Sequence, residues 1–301
     1  MSSSMGPTVH FIVPAFGASP YLSETLDSIV KATDESVPIT VLDDATPSTH
    51  VWDATKPFYD RVVYERNDTN LGIAANFARA FEISTGDFTV IVGSDDRILP
   101  NYLPQLQRSL IQHPQATLVH PKVRVINELG NTVNPLADRV KAFIQKRFAN
   151  QQSLNGVELI DRLLVGDWMY FPAIAWRTQE VSRHHWNGRL KTACDLDFLL
   201  RLAADKAQFA YSPTVSFEYR RHKYSISSAL AANGVRLAEE LSVHATFLRL
   251  HGQDAPWKTR VLCRMAITIR LHGLWMALSA SLRNPKLSWS LLRVSLRLIK
   301  S

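Results

Sequence analysis

The sequence predicts an α/β fold with a mostly parallel central sheet flanked by helices and a helical carboxyl-terminal extension. Residues 88–92 are β-branched and aromatic, which is typical of a strand buried on both faces. The earlier strand-like runs 9–15 and 38–42 have a helical pattern between them, and each ends in a loop of small, acidic or hydroxylated residues. Parallel strands joined by crossover helices give this alternation. With 46% hydrophobic residues, the 301-residue chain has ample material for a core.

The first 126 residues are predicted to alternate between strands and helices. Apolar residues at helical spacing, such as Leu22, Leu26 and Ile29, indicate the first helix. The Asn- and Gly-rich turn 67–72 tolerates positive φ and opens a helix whose amino-terminal amides can face a phosphate; a purely structural turn explains it equally well. In order, the predicted elements are a strand at 9–15, a helix at 22–32, a strand at 38–42, a helix at 49–59, a strand at 62–65, a helix at 73–84, a strand at 88–92, a helix at 103–112 and a strand at 117–126.

The second half of the chain has a less regular pattern. Residues 132–155 are polar and basic, and we predict a mobile loop or a short helix over the site. An aromatic, partly strand-like stretch at 167–177 follows. The later predicted elements are a helix from 194 to 202, a strand at 208–218, a cationic and hydroxylated loop at 219–227, and helices at 235–250, 257–282 and 286–300.

Charge is concentrated near the end of the chain. From residue 229 onward there are eleven Lys or Arg against three acidic residues, so the first 228 residues are close to neutral although the whole chain carries +7. The basic balance therefore belongs to the tail and does not indicate a nucleic-acid-binding protein. We predict two units, 1–228 and 229–301. Two cysteines, Cys194 and Cys263, cannot build a disulfide framework.

No secretory signal or membrane span is expected from the sequence. There is no Lys or Arg before Lys31, and the first apolar run is interrupted by His10 and Pro14. The uncharged stretch 271–282 is too short to cross a bilayer. We therefore expect a cytoplasmic protein, with a location at the cytoplasmic face of the membrane left open.

The strand at 88–92 ends in two adjacent carboxylates, Asp95 and Asp96. The carboxyl ends of parallel strands are where open α/β sheets bind ligands. Neighbouring carboxylates repel unless a cation lies beside them, and hard divalent cations prefer carboxylate, water and phosphate oxygens. A solvated acidic turn explains the pair equally well when it is considered alone.

Six motifs in order make residues 8 to 228 resemble the inverting family 2 glycosyltransferases. They are Ile12-Val-Pro-Ala-Phe16, Leu42-Asp-Asp-Ala-Thr46, Asn70-Leu-Gly72 with Asn76, Ser94-Asp-Asp96 followed by Pro100, Asp195-Leu-Asp-Phe-Leu-Leu-Arg-Leu202, and Tyr219-Arg-Arg-His222 with Ser225 to Ser227. The resemblance implies a GT-A fold and transfer of a sugar from a nucleotide-diphosphate donor to an acceptor hydroxyl. A glycan or lipid-linked acceptor, in polysaccharide or glycolipid assembly, is expected.

The resemblance also implies which residues bind the donor nucleotide. The first loop would pack on the base and ribose, and Asp43 would accept a hydrogen bond from the base. Divalent Mg²⁺ or Mn²⁺ would bind Asp95, with His222 as a further ligand or phosphate contact; a loop histidine bonded to backbone is the other reading of His222. The usual Asp-x-Asp signature has Gly93 in place of its first acid. The full implied donor set is Pro14, Ala15, Phe16, Asp43, Asp44, Asn70, Gly72, Asn76, Ser94, Asp96, Arg220 and Arg221.

The resemblance places the general base at Asp195, at the start of a leucine-rich helix. Asp197 lies four residues before Arg201 on one face and can pair with it, whereas Asp195 has no such partner and would stay ionised at the helix start. A simple helix cap is the competing interpretation of Asp195. The substitution at Gly93 also leaves open a catalytically impaired nucleotide-sugar-binding protein. A nucleotidyltransferase is set aside, because the loop 14–20 has no cation.

The last predicted helix, 286–300, has a basic edge and a broad apolar face. The basic edge consists of Lys286, Arg293, Arg297 and Lys300, and the apolar face consists of Leu287, Leu291, Leu292, Val294, Leu298 and Ile299. Such a helix fits an anionic membrane surface, and it fits equally well against the preceding helix or a second subunit.

Overall fold

The computed structural model describes residues 6–146, 152–222, 234–282, 284–297 and 299. The strands are β1 Val9–Ala15, β2 Ile39–Asp43, β3 Val63–Arg66, β4 Phe88–Ile91, β5 Arg97–Ile98, β6 Leu118–Ile126, β7 Ser153–Asn155, β8 Ala175–Arg177 and β9 Gln208–Arg220. The helices are α1 Leu22–Ala32, α2 His50–Thr55, α3 Ile73–Ile83, α4 Tyr102–Gln112, α5 Leu136–Lys146, α6 Gly156–Val165, α7 Thr178–Val181, α8 Cys194–Ala204, α9 Val235–His251, α10 Trp257–Met265, α11 Ile267–Ala280 and α12 Pro285–Leu296.

The strands form one sheet in the order β3-β2-β1-β4-β8-β6-β9-β5, with β7 paired to β9. The first four strands are parallel, as are β6 and β9. The short strands β5, β7 and β8 add in antiparallel orientation. The predicted mostly parallel sheet flanked by helices is confirmed, and β1, β2 and β4 all end at the same edge.

Both faces of the sheet are covered. Alternate residues of β1 enter different cores, with Phe11 and Val13 on one face and Ile12 on the other. Each of these side chains is fully buried. Successive side chains of a strand point to opposite faces of the sheet. Because both faces are buried here, consecutive residues of the strand need apolar side chains.

The carboxyl-terminal helices share the core of the preceding residues. From α9, Val243, Phe247 and Leu248 enter the cluster that contains Phe198 and Leu199 of α8. A second, smaller cluster joins α9, α11 and α12 through Leu237, Ile269 and Leu291. The division at residue 228 stays a prediction, but the described parts on its two sides pack extensively.

One predicted element differs from the structure, and one pair of alternatives is decided. Of the mobile loop or short helix predicted for residues 132–155, a helix is present, α5. The predicted helix 257–282 is interrupted at Ala266, whose φ of 42° and ψ of 46° are left-handed. This left-handed conformation, which is uncommon for a non-glycine residue, cannot continue a right-handed helix. Ala266 therefore ends α10, and the chain changes direction before α11.

Among the described residues, 257–280 form the one segment with the length and hydropathy of a membrane-spanning helix. This segment is longer than the uncharged stretch 271–282 on which the sequence-based expectation rests. The break at Ala266 nevertheless divides the segment. α11 extends about 21 Å at 1.5 Å per residue, whereas a bilayer core is about 30 Å thick.

Candidate active site

Asp96, at the carboxyl end of β4, is a buried structural carboxylate. It is 1% exposed, and its Oδ1 accepts a hydrogen bond from the backbone N–H of Arg220 at 2.8 Å. The Thr25 hydroxyl donates to the Asp96 carbonyl at 2.8 Å. Burial, with a further contribution from neighbouring Asp95, raises the pKa of Asp96 well above its usual range. Its Oδ2 is buried without a hydrogen-bond partner in the part of the chain that the structure describes, and the predicted contact of Asp96 with the donor nucleotide stays a prediction.

Asp95 is the accessible carboxylate of the pair. Its side chain is 26% exposed, and its Oδ2 lies 2.7 Å from Nε2 of His222. The His222 ring packs 5.2 Å from the ring of Tyr21, and its Nδ1 is buried and has no hydrogen-bond partner among the described residues. Asp95 and His222, which lie far apart in the sequence, are thus brought together as the resemblance implies.

The donor set at Asp95 fits a divalent cation. The carboxylate oxygen of Asp95 suits Mg²⁺ or Mn²⁺, with phosphate and water oxygens filling the other positions, and a histidine ligand is compatible with Mn²⁺ rather than with Mg²⁺. Among the described residues, no group of three or more His, Cys, Asp or Glu is placed to hold a metal. The protein would therefore supply two ligands, Asp95 and His222, and depend on the diphosphate for others.

Gly93 leaves room for the two carboxylates that follow it. A Cβ atom at this position would lie 2.6 Å from Oδ2 of Asp96 and 2.9 Å from Oδ1 of Asp95. Atoms that close must move, and Asp96 is held by its buried surroundings. The absence of a side chain at residue 93, where the signature usually has its first acid, therefore leaves space for the Asp96 carboxylate, which lies against the backbone of Gly93.

Arg220 holds this loop in place. Its side chain is 1% exposed, and its guanidinium donates to the Asp95 carbonyl at 2.7 Å and to the Glu24 carboxylate at 2.7 Å. Further bonds go to the carbonyls of Asn127 and Glu128. These bonds direct the N–H groups of Arg220 into the protein, and its predicted contact with the diphosphate stays a prediction.

At the end of β2, Asp43 is enclosed by protein donors. Its Oδ1 accepts the Thr46 N–H at 2.9 Å, and its Oδ2 accepts from the Tyr64 hydroxyl and Arg66 guanidinium, both at 2.6 Å. Although burial acts in the opposite direction, these bonds lower the pKa of Asp43. Its contact with a nucleobase stays a prediction, and the exposed side of Arg66 lies beside it.

Asp43→Ala is expected to weaken binding of a free nucleoside diphosphate by about 1.5–3 kcal/mol, because it removes a charged acceptor and releases Tyr64 and Arg66. Titration calorimetry with nucleoside diphosphates measures this change. Asp53→Ala, at an exposed acid of α2, is the matched control. An unchanged affinity in Asp43→Ala would place the base elsewhere.

Asp44 fixes the turn before α3. Its Oδ1 accepts from the side-chain amide of Asn67 and from the N–H of Leu71, and its Oδ2 accepts from the N–H of Gly72. Asn76 accepts from the same Asn67 amide at 2.8 Å. Gly72 has a φ of 78°, which explains why glycine precedes α3. The structure gives Asp44 and Asn76 a role in shaping this turn, and their predicted contacts with the donor stay predictions.

The other predicted donor residues lie around this edge. Pro14 and Ser94 are partly buried, Ala15 is buried, and Asn70 is exposed. Phe16 is 53% exposed and so leaves a ring available for stacking. Residues 223–227 of the predicted cationic loop lie outside the described part of the chain.

Asp195 lies in a separate pocket of about 210 Å³. Aromatic side chains form one wall, where Phe77 stacks on Phe171 at 4.7 Å, and such apolar surfaces with a few polar groups are typical of ligand sites. The pocket is lined by Ile73, Phe77, Lys141, Asp167, Met169, Tyr170, Phe171, Pro172, Lys191, Thr192, Cys194, Asp195, Tyr219, Arg221 and Arg236.

The carboxyl group of Asp195 has a raised pKa. Burial and the neighbouring Asp167 carboxylate raise its pKa to about 7, while Arg236 and Lys141 act in the opposite direction. Burial therefore opposes the ionised state predicted for a carboxylate at the helix start, and the role of Asp195 as the base stays a prediction. Asp195 is not the helix cap, since Ala193 occupies that position and no side chain caps it.

Sequence reasoning missed two residues of α9 that support this pocket. Arg236 donates to Asp167 at 3.2 Å and to Glu240 at 2.7 Å. Glu239 accepts from the N–H groups of residues 191, 192 and 193, and from the Thr192 hydroxyl, at 2.8–3.1 Å. The fixed segment leads directly into Asp195. The i, i+4 pair of Arg236 and Glu240 was the only local signal, and it is typical of any exposed helix.

The remaining predicted contacts of this region are ion pairs. The Asp197 carboxylate accepts two bonds from Arg201 at 2.9 and 3.0 Å, which confirms that pair. Arg221 makes a two-bond contact with Asp138, which also accepts from the Tyr170 hydroxyl. Arg221 lines the Asp195 pocket, and its role in donor binding stays a prediction.

The end of β9 joins the two halves of the site. Successive residues of a strand point in opposite directions. Tyr219 and Arg221 line the Asp195 pocket, whereas Arg220 and His222 contact Asp95. A larger groove of about 550 Å³ lies at the amino ends of β2 and β3, away from this edge of the sheet, and is therefore not the candidate site.

The profile of Glycosyl transferase family 2 matches residues 10–162. Abequosyltransferase RfbV of Salmonella typhimurium is 30% identical over 110 residues, which are 34% of this chain and 32% of that protein. The alignment therefore spans about a third of the length of this curated relative.

Solved structures show the same fold at low identity. S. aureus TarS 1-349 superposes with a TM-score of 0.63 and 15% identity, covering 96% of this chain and 81% of that one. The mannosyltransferase PcManGT from Pyrobaculum calidifontis, in complex with GDP-Man and Mn²⁺, gives a TM-score of 0.62 and 16% identity, covering 96% and 79%.

Proposed function

This chain belongs to Glycosyl transferase family 2, and on that premise we propose that it transfers a hexosyl or deoxyhexosyl group from a nucleoside diphosphate sugar to an acceptor hydroxyl, with inversion. The observation that carries the proposal is the end of β9, which joins the Asp95–His222 pair to the pocket of Asp195. A single displacement requires a site for the leaving diphosphate and, close to it, a carboxylate that can accept the proton of the acceptor hydroxyl. The Asp95–His222 pair and Asp195 would fill these two roles.

The proposed reaction is a direct displacement at the anomeric carbon. Asp195 accepts the proton of the acceptor hydroxyl as its oxygen bonds to that carbon, and the bond to the diphosphate breaks on the opposite face. A pKa of about 7 suits this role, because a base near the working pH is available unprotonated and still strong enough to take the proton. A divalent cation bound by Asp95 and His222 would neutralise charge on the leaving diphosphate.

The names of the relatives guide the choice of donor. One is an abequosyltransferase, and solved relatives hold UDP-GlcNAc or GDP-Man. We propose a glycan or lipid-linked acceptor in polysaccharide or glycolipid assembly. The catalytically impaired binding protein is less favoured, because Asp195 and the Asp95–His222 pair are both in place.

A donor screen tests the proposed function. The full chain is incubated with UDP-GlcNAc, GDP-Man and an abequosyl nucleotide, with Mn²⁺, and release of nucleoside diphosphate is measured. We expect release with one donor class, and a product whose anomeric configuration by NMR is opposite to that of the donor. Tight donor binding without any release would instead identify a binding protein.

Glu239→Gln is expected to lower kcat by roughly 10- to 100-fold, because it loosens the segment that positions Asp195. The donor KM should stay within about twofold, since Glu239 is remote from the Asp95 edge. Asp254→Asn, at an exposed acid beyond α9, serves as the control. A wild-type kcat in Glu239→Gln would show that the segment keeps its place without this carboxylate.

A further inference from the structure

One side of α11 is an exposed apolar stripe. At 100° per residue its members fall within a sector of about 100°, while the buried residues Ile269, Gly273 and Ala277 face the protein. The stripe consists of Ile267, Leu271, Leu274, Trp275 and Leu278, which are 37–75% exposed. We call these five residues the α11 face.

Further apolar residues surround the α11 face in the sequence. Along α10, Trp257, Val261 and Met265 recur every fourth residue and are 40–72% exposed. Leu282, after α11, is 97% exposed, and Trp289 of α12 is 56% exposed. Single exposed apolar side chains need no explanation, but a concentration like this one is typical of an interaction surface.

The same segment is strongly cationic. Residues 255–301 contain nine Lys or Arg and no Asp or Glu. Arg264, Lys286 and Arg297 are exposed, and the guanidinium of Arg293 lies 5.2 Å over the ring of Trp289. Lys258 pairs with Asp161 at 3.2 Å, whereas Arg264, Lys286 and Arg297 have no acidic partner among the described residues. Exposed apolar and tryptophan side chains in a segment with such cations fit a surface that offers hydrocarbon beneath negative charge.

The apolar face predicted for the last helix packs inside the protein. Leu291 is buried against α9 and α11, and Leu287, Leu292 and Val294 pack beside it. The interpretation in which this helix packs on the preceding one is confirmed, and the exposed apolar surface belongs to α11.

We propose that the α11 face docks on an anionic lipid bilayer surface, with the cations of residues 255–301 contacting lipid headgroups. A second copy of the chain is disfavoured, because a two-fold contact would bring together two segments that each carry nine Lys or Arg and no Asp or Glu of their own. A spanning segment is disfavoured by the left-handed break at Ala266. This inference stands apart from the proposed transfer reaction.

Flotation of the purified full chain on vesicles tests the proposal. We expect it to float with vesicles containing phosphatidylglycerol at low salt. High salt should release it, because counterions screen the attraction. It should not float with vesicles of pure phosphatidylcholine, which carry no net negative charge. Trp275→Ser combined with Leu278→Ser should lower the bound fraction by roughly tenfold or more, through loss of two inserted side chains.

Leu129→Ser is the matched control, since Leu129 is 84% exposed in the turn after β6. Circular dichroism of each variant checks folding. The proposal is overturned if the wild type fails to float, if it binds neutral and anionic vesicles equally, or if the double variant stays bound. A wild-type dimer that the double variant converts to a monomer would identify a second copy as the occupant. Resistance to alkaline extraction would identify a spanning segment.

Discussion

Asp195→Asn is expected to lower turnover by roughly 10²–10⁴-fold, the range for loss of a general base. Asn has nearly the same shape and can still accept the Leu196 N–H bond that Asp195 Oδ1 accepts at 2.8 Å. Folding and donor affinity should therefore stay close to wild type. Single-turnover transfer and calorimetry with the nucleoside diphosphate separate the two effects.

The pH profile distinguishes a base from a positioning role. The pKa of Asp195 is raised to about 7, so its carboxyl is protonated below that pH and cannot accept a proton. The wild-type rate should therefore fall about tenfold per pH unit below 7 and level off above it. The transfer rate of the Asp195→Asn variant should be low and should no longer fall as the pH is lowered below 7.

Asp197→Asn is the control for Asp195. The Asp197 side chain is 8% exposed and that of Arg201 is 27% exposed, so the pair is partly buried and its loss should cost about 1 kcal/mol of stability. Its turnover should remain within about twofold of wild type. If the Asp197→Asn variant were inactive and the Asp195→Asn variant active, the general base would be Asp197 and not Asp195.

Asp95→Ala should reduce transfer by at least about 10²–10³-fold, because it removes the accessible carboxylate beside the proposed diphosphate. EDTA should have a similar effect on the wild type, reversed by added Mn²⁺. Binding of Mn²⁺ in the presence of the nucleoside diphosphate, followed by the electron paramagnetic resonance of free Mn²⁺, gives a readout independent of activity.

Asp87→Ala is a suitable control for Asp95→Ala, because Asp87 bonds to Thr8 on an exposed surface before β4. Wild-type transfer and Mn²⁺ binding by Asp95→Ala would show that this strand end is not the diphosphate site. Loss of Mn²⁺ binding with transfer retained would separate metal binding from the reaction.

The sequence predicted the sheet edge because buried strands and the carboxylates after them are local patterns. Phe88–Ile91 needs apolar residues on both faces, and Asp95 follows it directly. The pair of Asp197 and Arg201 was also predictable from helical spacing.

Contacts between distant residues could not be predicted in this way. Whether Arg220 or Arg221 points into the protein depends on the register of β9 against β6 and β5, which a local pattern does not fix. Arg236 reaches Asp167 across 69 positions in the chain. The raised pKa of Asp195 depends on the same long-range packing.

The position of the Asp96 carboxylate against Gly93 makes the identity of residue 93 conditional on its neighbours. A side chain at position 93 and a buried carboxylate at position 96 compete for one volume. A side chain at residue 93 would also meet Oδ1 of Asp95, so its cost is set by both carboxylates that follow it. The effects of substitutions at residues 93, 95 and 96 on stability should therefore not be additive, and restoring an acid at residue 93 would cost least where the residue at position 96 is small.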